Sequence, residues 1–290
     1  MTLNWELTNE FDSMLLQAHP LNESRRSRKA DGILRLSWSL LKSGLTCPRA
    51  ATWTTYPEKF SVPEDATKFS ESLSSIRGNM VQALLEHIYA HNFPQLEPDK
   101  FVQAVQASWR WSVKFFTPLR IISSEELENL RIEVFTMLPT ILKTLNDEGI
   151  WANRQAVEKP LWWDVSHIGG LRLTGKADFV LQDPGKYWLI DGKVVNNPNY
   201  LDPRQLLFYA LILNKMTGRT PDRILFWLYP QGEVVDHSAA LHQDNFNGLM
   251  HDIEKVFRQI KSFDETPNPT SYNCRLCMHR TFCDSYKCSF

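Results

Sequence analysis

Asp178, Asp191 and Lys193 are the residues of this chain best placed to do chemistry. They lie in Leu171–Asn197, LRLTGKADFVLQDPGKYWLIDGKVVNN, which reads as two β-strands joined by a tight turn at Asp183-Pro184-Gly185. Side chains alternate faces along a strand, so Asp191 and Lys193 share a face and Gly192 points the other way. A hairpin brings Asp178 beside them, giving two carboxylates and one ammonium around a single point. Carboxylate oxygens suit a hard divalent cation such as Mg²⁺ or Mn²⁺. An adjacent lysine can steady a hydroxide or a phosphoryl oxygen during phosphodiester cleavage.

A plainer reading makes Asp191-Gly192 a turn and Lys193 a solvated charge. The flanks oppose it: Tyr187-Trp188-Leu189-Ile190 leads in and Val194-Val195 follows, so the charges interrupt a strand that reads as buried. A buried unpaired charge costs several kcal/mol, which is why charges in such runs are paired or metal-bound. Gln205 and Tyr209, four apart on the next helix, share a face and can point at one ligand.

The second group is Cys274, Cys277 and Cys283, spaced C-x-x-C-x5-C in a short polar tail that is Pro-rich upstream. Thiolates so spaced hold an iron–sulfur cluster or zinc comparably well. A zinc site would use these three with His279 or Cys288 and leave Cys47 out. Cys47 by itself reads as buried filler.

The elements that position these residues follow from periodicity. Apolar residues at Phe69, Leu73, Ile76, Met80, Leu84 and Ile88 predict a helix over 68–91, with Gln82 and Glu86 on a polar stripe. Helices are expected over 98–117, opened by Pro98, and over 124–148, opened by a Ser123/Glu126 capping box and stopped by Gly149. We read this pair, within 95–150, as a helical insertion that packs or acts as a lid, packing being the simpler role. Val157–Val165 is read as the first strand, with Glu158 near its start. Asp202-Pro203 opens a helix to Lys215 that Gly218 stops. Ile224–Tyr229 is apolar throughout, as in a strand buried on both faces. A short strand near Val234-Val235 and a helix over 242–263 complete the body. Residues 1–35 read as an arm whose one feature is the basic run Arg25, Arg26, Arg28, Lys29, most simply a solvated segment. The remainder, 36–290, reads as one domain, with 266–290 its cysteine-rich end.

At 290 residues, with 43% hydrophobic and 22% charged side chains, the composition is that of an ordinary globular protein. No run approaches a membrane span and the start lacks a secretion pattern, so a cytoplasmic protein is expected. Net charge is −1, so any contact with nucleic acid must come from a local basic surface. No GxxxxGK[ST] phosphate loop occurs, which argues against ATP-driven work by this chain.

These residues resemble the PD-(D/E)XK nucleases, and among them the RecB-like branch. The resemblance rests on Gly175-Lys176-Ala177-Asp178 (G-x-x-D), Asp191-Gly192-Lys193 (D-x-K) and Gln205-Leu206-Leu207-Phe208-Tyr209 (Q-x-x-x-Y), in the family's order. It implies an α/β fold, a central mixed sheet flanked by helices, and a metal-dependent DNA nuclease, exonucleolytic on single strands or ends. Asp178, Asp191 and the Gly192 carbonyl would hold Mg²⁺ or Mn²⁺, Lys193 would serve the attacking water, and Gln205 and Tyr209 would contact DNA or support the ligands. Glu158 is a further candidate facing the metals. The family's helix histidine is replaced here by Gln82, a poor metal ligand, so either the metal site lacks one contact or Gln82 serves the site by orienting water. Cys47-Pro48-Arg49 after a Ser-initiated helix, with the three tail cysteines, resembles the four-cysteine [4Fe–4S] arrangement of the iron–sulfur members. Partners implied are DNA and a helicase, recombination or integration protein. The rival reading is a catalytically weak DNA-binding or assembly subunit that keeps the fold.

Overall fold

The computed structural model describes residues 32–62, 73–90, 98–116, 122–150, 154–183, 185–195, 197–270, 274, 277–280 and 283–287. Residues 1–31 of the arm, its basic run included, lie outside these residues, and its last residues enter β1. In chain order the elements are β1 (Leu34–Ser37), α1 (Trp38–Thr46), α2 (Pro48–Thr55), α3 (Leu73–Ala90), α4 (Pro98–Phe116) and α5 (Ser124–Asp147). They continue as β2 (Arg154–Asp164), β3 (Leu171–Asp183), β4 (Lys186–Lys193), α6 (Pro203–Thr217), β5 (Arg223–Leu228), β6 (Glu233–Asp236), α7 (Gln243–Lys261) and α8 (Asp284–Lys287). No described helix is long and apolar enough to cross a membrane.

The strands form one mixed sheet in the order β1-β3-β4-β5-β6, with β2 on the other edge of β3. The β3–β4 hairpin is antiparallel, and β4 pairs with β5 in parallel through the helical crossover α6. Local chemistry sets the ends of these elements. The capping box of α5 is formed on both sides: Ser123 Oγ accepts from Glu126 N at 3.1 Å and Glu126 accepts from Ser123 N at 2.9 Å. Asp202 caps α6 by accepting from Arg204 N, and Gly218 ends it at φ 74°, the left-handed turn that glycine adopts at little cost.

Every residue of β5 from Ile224 to Leu228 is buried. Ile224 and Phe226 join Leu173, Val180 and Leu189 under α1, α6 and α7, while Leu225 and Trp227 join Phe179, Leu181 and Ile190 under α3, α4 and α5. The α4–α5 pair, expected as an insertion, therefore forms with α3 a covering layer of the sheet. The first strand departs from the sequence reading: it is β1, which pairs in parallel with Leu171–Thr174. Four residues, alternately buried and half-buried, carry too little periodicity to announce a strand.

Candidate active site and cysteine pocket

The site sits where the sheet opens. β2 occupies one edge of β3 from Arg172 to Leu181. On the other edge, β1 pairs with residues 171–174 and β4 with 179–183. Between them, Gly175–Asp178 have no strand partner on that edge among the described residues. The G-x-x-D stretch is thus a gap in the sheet, and α6 fills it. The Tyr209 ring lies over Gly175, where a Cβ would come within 2.7 Å of it. Asp178 closes the gap from the other end, its Oδ2 accepting from Gly192 N at 2.7 Å in place of a backbone carbonyl.

Beyond Ile190, β4 leaves β3 and continues alongside β5, pairing Asp191 with Phe226 and Lys193 with Leu228. Asp191 is 3% exposed. Its Oδ1 accepts from Gln205 Nε2 at 3.3 Å, and its Oδ2 forms an ion pair with the Lys193 ammonium. Gln205 also donates to the Tyr209 hydroxyl at 3.2 Å. The alternation expected of D-x-K holds: Asp191 and Lys193 meet each other, while Gly192 lies against Tyr229, whose hydroxyl fills the space a Cβ would need. Tyr229 was not singled out from sequence, where it reads as the end of an apolar strand.

Electrostatics at the fork favour protons over bare charges. Loss of solvent, and then the charge of Asp191, push the Asp178 carboxyl up to about 7. Burial also raises Asp191, against the pull of Lys193. Burial, then the Asp191 charge, raises Tyr209, so its hydroxyl stays protonated. Two adjacent carboxylates that resist ionisation together are relieved by a cation between them. Asp191 Oδ2, buried and shared only with the Lys193 ammonium, is an oxygen such a cation could also take. The donor set therefore fits a hard divalent ion. Among the described residues no three His, Cys, Asp or Glu side chains gather to hold one ion. Mg²⁺ commonly keeps several waters and uses one or two carboxylates.

The raised carboxyl has a measurable consequence. Folded Asp178 keeps a proton that the unfolded chain releases near pH 4, so in EDTA its contribution is complete below about pH 4 and lost as pH rises through about 7. Denaturant midpoints of metal-free protein should fall between pH 5 and pH 8, and Mn²⁺ should restore them most at the upper end. A midpoint rising steadily across that window would contradict the placement of the two carboxylates.

Gln82, on α3, reaches this region through Tyr229, whose hydroxyl donates to Gln82 Oε1 at 2.8 Å. The glutamine thus braces the residue that backs Gly192. Glu158 is on β2, and the pairing of Val157 with Phe179 and of Lys159 with Ala177 puts its backbone opposite Asp178. Its side chain lies outside the described residues.

The cysteines form a separate centre. Cys47 ends α1 and opens α2, and it lines one pocket with Cys274, Cys277 and Cys283, about 340 Å³ including solvent at the mouth. The tail is tied to α2 around it. Arg49 Nε donates to the Glu265 carbonyl at 2.8 Å and Thr52 Oγ1 to that of Asp264 at 2.8 Å. Thr54 Oγ1 and His279 Nε2 lie 2.9 Å apart, and Arg49 Nη1 is 3.9 Å from Cys283 Sγ. Burial, then the charges of Cys47, Cys283 and Cys274, push the Cys277 thiol up. Burial thus keeps Cys277 a thiol in this structure. His279 is 1% exposed and faces Thr54, a packing position. Cys288 lies outside the described residues.

A mixed α/β sheet that opens around paired carboxylates and a lysine has the character of a phosphodiester hydrolase. The family model of the PD-(D/E)XK nuclease superfamily matches residues 35–284, and the chain belongs to that superfamily. Comparison with curated proteins gave no match.

Proposed function

We propose that the chain is a Mg²⁺- or Mn²⁺-dependent deoxyribonuclease of the RecB-like kind, acting exonucleolytically on single strands or DNA ends. The observation that carries this reading is the fork itself, where Asp178, Asp191 and Lys193 converge on the gap between β1 and β4. Asp178, Asp191 and the Gly192 carbonyl would hold the ion, which when bound lends positive charge to the phosphodiester and lowers the pKa of water. The protein's own groups do the rest. Lys193 orients the attacking water and offsets charge growing on a phosphoryl oxygen. Gln205 fixes the Asp191 carboxylate, and Tyr209, kept neutral, holds Gln205. Tyr229 and Gln82 hold the strand from behind.

Cys47, Cys274, Cys277 and Cys283 would carry a [4Fe–4S] cluster with a structural role, zinc being the alternative their chemistry allows. A helicase, recombination or integration protein would supply the DNA end.

The test uses anaerobically purified protein with end-labelled single- and double-stranded DNA. Cleavage should require Mg²⁺ or Mn²⁺, stop with EDTA and release short products from an end. Binding without cleavage at any metal concentration would favour the second reading, a catalytically weak subunit. That reading is motivated by Gln82, whose carbonyl oxygen is already engaged by Tyr229.

A further inference from the structure

Next to the fork, one face of β1, β2 and the first half of β3 is partly open to solvent: Pro160, Trp162, Asp164 and Lys176 are exposed, and Arg35, Arg172 and Thr174 half-buried. The strand register defines it in rows, because residues directly opposite one another share a face. Asp164, Arg172 and Arg35 form one row, Trp162 and Thr174 the next, and Pro160 and Lys176 the third. The reverse face is core: Leu36, Leu161, Leu171 and Leu173 are at most 3% exposed. On the open face Trp162 is 53% exposed, a large indole left in water on an edge strand. The Arg172 guanidinium lies 5.3 Å from its ring centroid and is fixed there by two bonds to Asp164, at 2.6 and 2.8 Å. Lys176 is exposed two residues before Asp178, and its charge reaches that carboxyl.

We propose that this face is a track for single-stranded DNA, on which Trp162, backed by Arg172, stacks an unpaired base and Arg35 and Lys176 attract backbone phosphates on the way to the fork. The inference rests on the nuclease reading above. Charge favours the occupant: Arg35 and Lys176 stand on these rows beside the Arg172–Asp164 pair, in a chain of net charge −1. An exposed ring suits the flat face of an unpaired base, which a duplex keeps stacked inside. A protein partner would call instead for a contiguous apolar core, and here one indole stands among polar and charged side chains. From Thr174, beside Trp162, to Asp178 is four residues, or about 13 Å along β3. A stacked base is therefore held a short stretch of strand away from the carboxylates.

The test is the anisotropy of a labelled oligothymidylate with the full chain in EDTA, alongside Mn²⁺-supported hydrolysis of bis(p-nitrophenyl) phosphate. Trp162→Ala should weaken oligothymidylate binding by about tenfold or more, since stacking on an aromatic ring is worth about 1–3 kcal/mol per base. Trp162→Phe should keep most of the affinity. Lys176→Ala should flatten the salt dependence by about 0.7 in log–log slope, the loss of one phosphate contact. The small diester, too short to reach Trp162, should be hydrolysed equally by wild type and Trp162→Ala. Unchanged oligothymidylate binding by Trp162→Ala overturns the track, as does an equal loss of duplex binding. If no form hydrolyses the small diester yet binding still depends on Trp162, the catalytic reading fails and the track stands.

Discussion

Replacing Lys193 with alanine should cut Mn²⁺-supported DNA cleavage by about 10²–10³-fold while the protein still folds and still binds DNA. Lys193 projects from the end of β4 with its side chain 27% exposed, so its removal leaves no cavity in either half of the core. What it removes is the ammonium paired with Asp191, a carboxylate with almost no access to water. Without that partner Asp191 becomes harder to ionise, and more Mn²⁺ should be needed to displace the proton. Extra metal should recover binding of the ion but not the rate, because the group that orients water is still missing. The two effects separate in a Mn²⁺ titration: the midpoint moves upward and the plateau stays low. Thermal melting of the variant in Mn²⁺ checks the fold independently. Cleavage at the wild-type rate at saturating Mn²⁺ would remove Lys193 from the chemistry and the D-x-K assignment with it.

The parts of this site that were legible in the sequence are those fixed by local rules. D-x-K gives its geometry through strand alternation alone, and Gln205 and Tyr209 share a helix face by spacing alone. The Ser123/Glu126 box, Asp202 and Gly218 mark helix ends through bonds within a few residues. The illegible parts are relations between distant segments. G-x-x-D is readable as a motif, yet its meaning as an opening depends on β1 and β4 sharing an edge of β3, which no local pattern encodes. Gln82 reads as a substituted metal ligand until Tyr229, 147 residues away, is found bonded to it. Trp162 is hidden for another reason: alternation puts one face of β2 outside but does not say whether a helix covers it. The α4–α5 pair was legible as two amphipathic helices whose simplest role is packing, but which face of the sheet they cover was not.

Changing Cys47 to serine should strip the metal from this protein and lower its melting temperature by on the order of 10 °C. Three of the four cysteines lie within ten residues of one another in the tail, while Cys47 sits more than two hundred residues earlier, at the junction of α1 and α2. It is therefore the ligand that would close the long loop, and a metal shared across it stabilises by joining ends that chain entropy would separate. The tail keeps other ties, to Arg49 and Thr52 of α2 and from Asn268 to the Thr46 carbonyl of α1, so the variant should stay folded at low temperature. Protein prepared without oxygen should be brown and carry about four irons per chain, as thiolate-held [4Fe–4S] centres do. Cys47→Ser should be colourless, and Cys288→Ser should match the wild type in colour and melting. Arg49→Ala offers a graded control: it removes the guanidinium beside Cys283 and the pairing with Asp284, loosening the tail with all four thiols intact. Its colour should survive while its melting temperature falls. A colourless preparation carrying one zinc that persists in Cys47→Ser would exclude the cluster, because zinc held by tail residues alone needs nothing from α2. The fork would be untouched by that outcome, since Asp178, Asp191 and Lys193 are positioned by β3, β4 and α6 and not by the cysteine pocket.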